Sequence, residues 1–271
     1  MHNNGEETYT EVSADQLARY QTVNIFPELI LQIELKLSRR LRDTDFGPSV
    51  EYVYDPLTYA YDIHSKFVRK FCLGTKEILF LGMNPGPWGM MQNGVPFGEN
   101  TSVQQFLGLF GTVVKPEREH PLRPVLGLAC RRSEVSGKRF WSLARLLGAS
   151  EAEVFFRHCF VYNYFPLCLI GSHGKNVTPP ELKAAVQRSI ESACDSALCE
   201  VISLLNVKVV IGIGRFSEKK ALNVVSRAGL NDVKVLFLPH PSPRNPATNK
   251  DWLTTTKQLI IDYDLAQYFA I

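Results

Sequence analysis

Four short stretches of the sequence hold hydrogen-bonding or stacking side chains in rigid backbone. The stretch GMNPGPWG, Gly82 to Gly89, follows the apolar run KEILFL and spends two prolines and three glycines on one turn. Proline fixes φ and removes a donor, while glycine gives up the most backbone entropy on folding. Such a turn therefore holds one path rigidly or lets a ligand approach the backbone closely. Asn84 is the polar side chain it presents. In LPHPSPRNP, His240 lies between Pro239 and Pro241. Fixed φ on both sides favours a functional imidazole over an ordinary structural one. Asn163 ends the run FVYN. Asparagine there forms turns, and its carboxamide, with one acceptor and two donors, can also read the edge of a nucleobase. Phe97, in GVPFGE, is either a core residue or a platform on which a base stacks. His64, His120, His158 and His173 lack comparable settings and read as structural.

The elements that must position these groups follow from the apolar patterns. Four continuous runs, 76–83, VFFRHCFVYN, VKVVIGIG and VKVLFLPH, are rich in β-branched and aromatic residues and predict buried strands. Helical patterns flank them. PELILQIELKLSRRL starts at Pro27 and places Leu29, Ile30, Ile33, Leu37 and Leu41 at helical spacing. After a loop, FGPSVEYVYDP, the segment LTYAYDIHSKFVRKF reads as a helix leading into the first strand. GKRFWSLARLLG, TPPELKAAVQRSIESACDSALCEVISLL (Thr178 as N-cap), FSEKKALNVVSRAG and KDWLTTTKQLIIDYDL supply the rest. This alternation predicts an α/β fold, a four-stranded mainly parallel sheet flanked by helices. Residues 13–271 read as a single domain, with Ser13 capping a short helix and residues 1–12 as a flexible N-terminus.

Ligands of such sheets bind beyond the carboxyl ends of the strands. Here those ends are GMNPGP, VYNYFP, GIGRFS and LPHPSPRNP, which should converge on one rim. GIGRFS is not a dinucleotide fingerprint, because Ser217 stands where the third glycine is required. A glycine turn opening a helix can still seat one phosphate.

With 45% hydrophobic and 21% charged residues in 271, the composition is that of an ordinary globular protein. A formal net charge of +3 is too mild to require a nucleic-acid partner, yet Lys115 to Arg145 carries eight Lys or Arg against three Glu. That segment is a solvated face or a footprint for phosphates. Cysteines 72, 130, 159, 168, 194 and 199 include no CxxC pair. This argues against a zinc or iron–sulfur site and for buried free thiols in a reducing compartment. The polar start MHNNGEETYT is neither a signal peptide nor a membrane span. No apolar run approaches spanning length. A soluble intracellular protein is expected.

Together, KEILFLGMNPGPWGMMQNGVPFGE, VLGLACRRSEVSGKRFW, FFRHCFVYNYFPLC and LPHPSPRNPATNK resemble the single-strand-selective monofunctional uracil-DNA glycosylases, in order and spacing, from about Tyr54 to Trp252. The resemblance implies a nuclear repair enzyme without metal or cofactor. It would remove uracil, 5-hydroxymethyluracil and 5-formyluracil from single- and double-stranded DNA. At matching positions, it implies that Asn84 positions the attacking water and that Met83 and Gly86 line the base pocket. Phe97 would lie under the flipped base, Asn163 would read it, and His240 would serve the leaving group. Pro241, Ser242, Pro243, Arg244 and Asn245 would form the wedge that enters the duplex, with Arg131, Arg132, Ser136 and Lys138 as further DNA contacts. One departure is Trp88, where the family pattern has Phe.

The chemistry such a site needs is consistent with these residue types. The base must leave the stack. Asn163 would accept from uracil N3–H and donate to O4, a pattern cytosine inverts. Cleavage leaves negative charge on the departing uracil, which a donor at O2 stabilises. A carboxamide is too weak a base to take a proton at neutral pH, so Asn84 would orient water and positioning would substitute for basicity. No lysine stands beside these motifs as an amine nucleophile, so hydrolysis without strand cleavage is expected. Two other classes compete. A non-catalytic binder of damaged or single-stranded DNA would need Phe97, Arg244 and the basic segment but neither Asn84 nor His240. A nucleotide-binding enzyme would rest on GIGRFS.

Overall fold

Parallel strands buried on both faces read as unbroken apolar runs, and those runs organise the structure. The computed structural model describes residues 25–243 and 251–271. In chain order its first half comprises α1 (Ile25–Arg42), β1 (Tyr52–Tyr54), α2 (Pro56–Tyr59), α3 (Tyr61–Phe71), β2 (Ile78–Gly82), α4 (Met90–Asn93), α5 (Asn100–Gln105) and α6 (Val135–Leu147). There follow α7 (Ala152–Phe155), β3 (Cys159–Asn163), β4 (Cys168–Ile170), β5 (Asn176–Val177), α8 (Ala184–Leu205), β6 (Val209–Ile213), α9 (Arg215–Arg227), β7 (Lys234–Leu238) and α10 (Trp252–Asp262). The expected flexible segment 1–12, the Ser13 cap, and the wedge residues Arg244 and Asn245 lie outside the described residues.

The main sheet has the order β3-β2-β6-β7, and every neighbouring pair is parallel. This is the expected α/β architecture. Strands β2, β3 and β6 are buried along their whole length, whereas β7, at the edge, is partly open. Successive side chains alternate between faces. On one face Phe80 of β2 meets Phe140 of α6 and Phe155 of α7, at ring-centroid distances of 5.8 and 5.7 Å. On the other, Phe160 of β3 stacks on Phe67 of α3 at 5.4 Å.

Four expectations are corrected. The first two residues of VFFRHCFVYN, Val154 and Phe155, end helix α7, a turn follows, and only the last five residues form β3. The segment LTYAYDIHSKFVRKF is two helices broken at Ala60. The long helix after Thr178 begins only at Ala184. A 3-10 turn at Pro179–Glu181 and an extended Leu182 intervene, and the Glu181 carboxylate accepts from both the backbone N–H and the hydroxyl of Thr178, at 2.8 and 2.9 Å. Finally, FGPSVEYVYDP is not all loop. Its YVY forms β1, which pairs antiparallel with β4, and β4 pairs with β5 to make a second, three-stranded sheet.

GIGRFS has a packing role. A Cβ on Gly212 would fall on the backbone N and Cα of Glu218, so only glycine lets α9 lie this close to β6. Gly212→Ala should destabilise the protein by about 1–3 kcal/mol, as overpacking does. Urea unfolding followed by circular dichroism measures this.

Candidate active site

The carboxyl ends of β2 and β3 meet at Gly82 and Asn163, partners in register. A Cβ on Gly82 would collide with Oδ1 of Asn163 and lie 3.0 Å from the Phe97 ring, so the missing side chain makes room for both groups. Asn163 is buried, and its Nδ2 donates to Sδ of Met90 at 3.1 Å. Just beyond, the N–H groups of Tyr164 and Phe165 donate to the carbonyls of Gly82 and Met83, at 3.0 and 2.9 Å, and fix the strand ends to each other.

Phe97 holds a positive φ of 53°, an uncommon conformation for a non-glycine residue. Its neighbours hold it there. Its ring stacks on Phe140 at 4.5 Å, and its carbonyl accepts from Nε1 of Trp141 at 2.8 Å. Upstream, Gly94 (φ 78°) closes α4, and its carbonyl accepts from Nδ1 of buried His64 at 2.8 Å. Nε2 of His64 faces Oε2 of Glu34 in α1 at 2.6 Å. Burial pushes this imidazole down, but the Glu34 carboxylate and the two hydrogen bonds outweigh it and hold the pKa above its ordinary value.

The GMNPGPWG loop is braced from below. Nε2 of Gln92 donates to the carbonyls of Pro87 and Pro124, each at 3.0 Å. Gly86 and Gly89 pack on Glu134, where a Cβ on Gly89 would come within 3.0 Å of Cγ. Glu134 also caps α6 by accepting from the N–H groups of Ser136 and Gly137. Burial raises its pKa above the ordinary carboxylate value. Nδ2 of Asn84 donates to the Pro85 carbonyl at 3.2 Å, leaving Oδ1 without a hydrogen-bond partner among the described residues.

His240 is held by its flanking prolines. The Pro239 carbonyl accepts from Nε1 of Trp252 at 2.8 Å, and the Pro241 carbonyl from Nη1 of Arg139 at 2.9 Å. The Ser242 N–H donates to Nδ1 of His240 at 3.1 Å. A nitrogen that accepts carries no proton, so in the neutral ring the proton sits on Nε2. Burial lowers the His240 pKa to about 4. Gly214 (φ 87°) lies under the ring, with a Cβ position only 3.2 Å from Cβ of His240, so this turn gives the histidine its space.

These groups share one cleft of about 630 Å³. Met83, Asn84, Gly86, Phe97, Asn163, Ser136, His240 and Ser242 all line it. Pro241 is buried behind the turn, Pro243 is exposed, and Arg131, Arg132 and Lys138 are exposed outside the lining. A smaller hollow of about 310 Å³ lies at the opposite ends of β6 and β7 and contains none of these groups. Among the described residues, no cluster of three or more His, Cys, Asp or Glu is placed to hold a metal ion, and no helix is long and apolar enough to cross a membrane.

The family model of the uracil-DNA glycosylase superfamily matches residues 69–260, more than half of the chain. The chain belongs to that superfamily. It is 48% identical over 238 residues to the single-strand selective monofunctional uracil DNA glycosylase of Bos taurus, covering 88% of this chain and 87% of the relative. To the protein of the same name from Rattus norvegicus it is 46% identical over 239 residues, covering 88% and 85%. The crystal structure of wild-type Pedobacter heparinus SMUG2 superposes with a TM-score of 0.58 at 17% identity, covering 90% of this chain and 96% of that one, and shares its fold.

Several parts of the glycosylase cleft were not visible in the sequence. Met90, Arg123 and Glu134 line it beside Trp88, as do His173, Lys175, Asn176 and Thr178 from the β4–β5 hairpin and its exit. His173, read as structural, thus lies at the cleft. Among the described residues, Glu134 is the only carboxylic acid in the lining.

The His240 ring should titrate near pH 4 in the folded protein, measurable by NMR of the ring protons. Its unfolded counterpart takes up a proton near 6.5. The unfolded chain therefore binds more protons between these values. This contribution to stability is present above about pH 6.5 and is lost as pH falls towards 4.

Proposed function

We propose that the protein removes uracil from DNA by hydrolysis of the N-glycosidic bond, without a lyase step, and accepts 5-hydroxymethyluracil and 5-formyluracil as well. By family the chain is a monofunctional uracil-DNA glycosylase. What supports the detailed reading is the convergence, in one cleft, of a stacking ring, a base-reading amide, a water-orienting amide and a neutral imidazole.

In this reading the base leaves the stack and lies on Phe97, where Asn163 pairs with its N3 and O4 edge. Departure of the base builds negative charge at O2. A neutral Nε2–H donor meets that charge without having to lose a proton first, and the low pKa of His240 keeps the ring neutral at physiological pH. Oδ1 of Asn84 is left free to orient water, because Nδ2 is committed to Pro85. The loop beneath it is fixed by Gln92 and Glu134, so the geometry is prepaid. Arg131, Arg132 and Lys138 supply cationic contacts to phosphates, and the wedge residues Pro241, Ser242, Pro243, Arg244 and Asn245 enter the space left by the base.

Single-turnover excision from a uracil-containing oligonucleotide, with enzyme in excess, tests the assignment. Asn84→Ala and His240→Leu should each slow the chemical step by ~10²–10³ while leaving DNA affinity nearly intact. Wild-type rates in both would leave a non-catalytic DNA binder as the better reading. Asn163→Asp should also lose uracil excision sharply, since it replaces the donor to O4 with a negative charge. Unchanged excision would remove Asn163 from base reading. The same assay with 5-hydroxymethyluracil and 5-formyluracil, in single strands and in duplex, measures the substrate range.

A further inference from the structure

The cleft is far larger than one pyrimidine ring, and its outer part has a chemistry of its own. Trp88 stands there with two guanidinium groups against its ring. Cζ of Arg123 lies 5.1 Å and Cζ of Arg132 4.7 Å from the ring centroid. Two like charges on one ring repel, and four exposed arginines of this protein are balanced by carboxylates. Arg42, Arg69, Arg215 and Arg227 each meet a carboxylate within 3.4 Å. Among the described residues neither Arg123 nor Arg132 has a carboxylate partner. Nη1 of Arg123 donates to the Leu122 carbonyl at 2.8 Å, but its Nε is buried with no hydrogen-bond partner. The pair therefore carries two charges with no carboxylate partner, and one of its guanidinium groups has a buried N–H without an acceptor.

We propose that Arg123, Trp88 and Arg132 form a phosphate subsite, taking the phosphodiester beside the flipped nucleotide of the DNA strand. This rests on the uracil-excision reading above. Packing against the indole restrains the guanidinium groups, whose planar forks can meet phosphate oxygens with paired hydrogen bonds. Because the subsite is continuous with the base pocket, it grips the strand where the backbone must bend to turn the base out. It needs no complementary strand.

The test uses the full-length protein and a single-stranded oligonucleotide carrying one 2′-fluoro-deoxyuridine, a probe that slows cleavage so that binding is measured alone. Phosphates around that nucleotide are replaced one at a time by neutral methylphosphonates. One position next to the uridine should weaken wild-type binding about ten-fold, yet weaken Arg123→Gln or Arg132→Gln little further. Trp88→Ala should lose most of the same preference and Trp88→Phe should keep it. Arg132 is exposed, so Arg132→Gln reads the subsite even if Arg123→Gln perturbs folding. Independent, additive losses at every phosphate would overturn the proposal, as would wild-type binding by both arginine variants. Excision of ordinary uracil is measured alongside. Its absence in the wild type refutes the activity, whereas normal excision without coupling refutes only the subsite.

Discussion

The cleft depends on a side chain that is missing. Gly82 ends the central strand β2 in register with Asn163, and the space its Cβ would take is filled by the Asn163 carboxamide and the edge of Phe97. Reader and platform thus reach the same point because the backbone between them is bare. The surrounding contacts follow from this crowding. Phe97 accepts a strained φ because its carbonyl is bonded to Trp141 and its ring is stacked on Phe140. Gly137 in turn is bare where that carbonyl passes α6.

A second constraint is desolvation. The same burial that lowers the His240 pKa raises that of Glu134, so within one cleft the histidine resists gaining a proton and the acid resists losing one. A surface histidine between two prolines would be rigid in backbone but free in charge. Trp252 and Arg139 hold the proline carbonyls, the Ser242 N–H fixes the tautomer, and burial fixes the protonation state.

Much of this was legible in the sequence, for a physical reason. The strands β2, β3 and β6 are apolar without interruption, and their carboxyl ends carry the rigid polar turns, so Asn84, Asn163 and His240 could be placed on one rim from local pattern alone. What was hidden is of two kinds. Strand β1 and helix α7 are only a turn or so long, and over three or four apolar residues helix and strand periodicities cannot be separated. The supports of the rim are hidden differently. Trp252 and Arg139 act on backbone carbonyls far along the chain, and a carbonyl has no letter in the sequence. Glu134 looked like one acid in a basic segment until its contacts with Gly86 and Gly89 were seen.

The His64–Glu34 pair shows where the working unit begins. The superfamily match starts at residue 69, within α3, yet the imidazole that holds the Gly94 carbonyl stands at position 64 and its carboxylate partner at position 34 in α1. The superfamily match and the mechanical frame of the cleft therefore have different borders. The segment of that match carries the groups proposed for chemistry, while part of the frame that keeps Phe97 in place is built from a helix upstream of it. Substitutions in α1 that look remote from the cleft can reach it through one buried hydrogen-bonded contact. Changes in this leading segment are then a route for tuning the enzyme without altering any residue of its signature motifs.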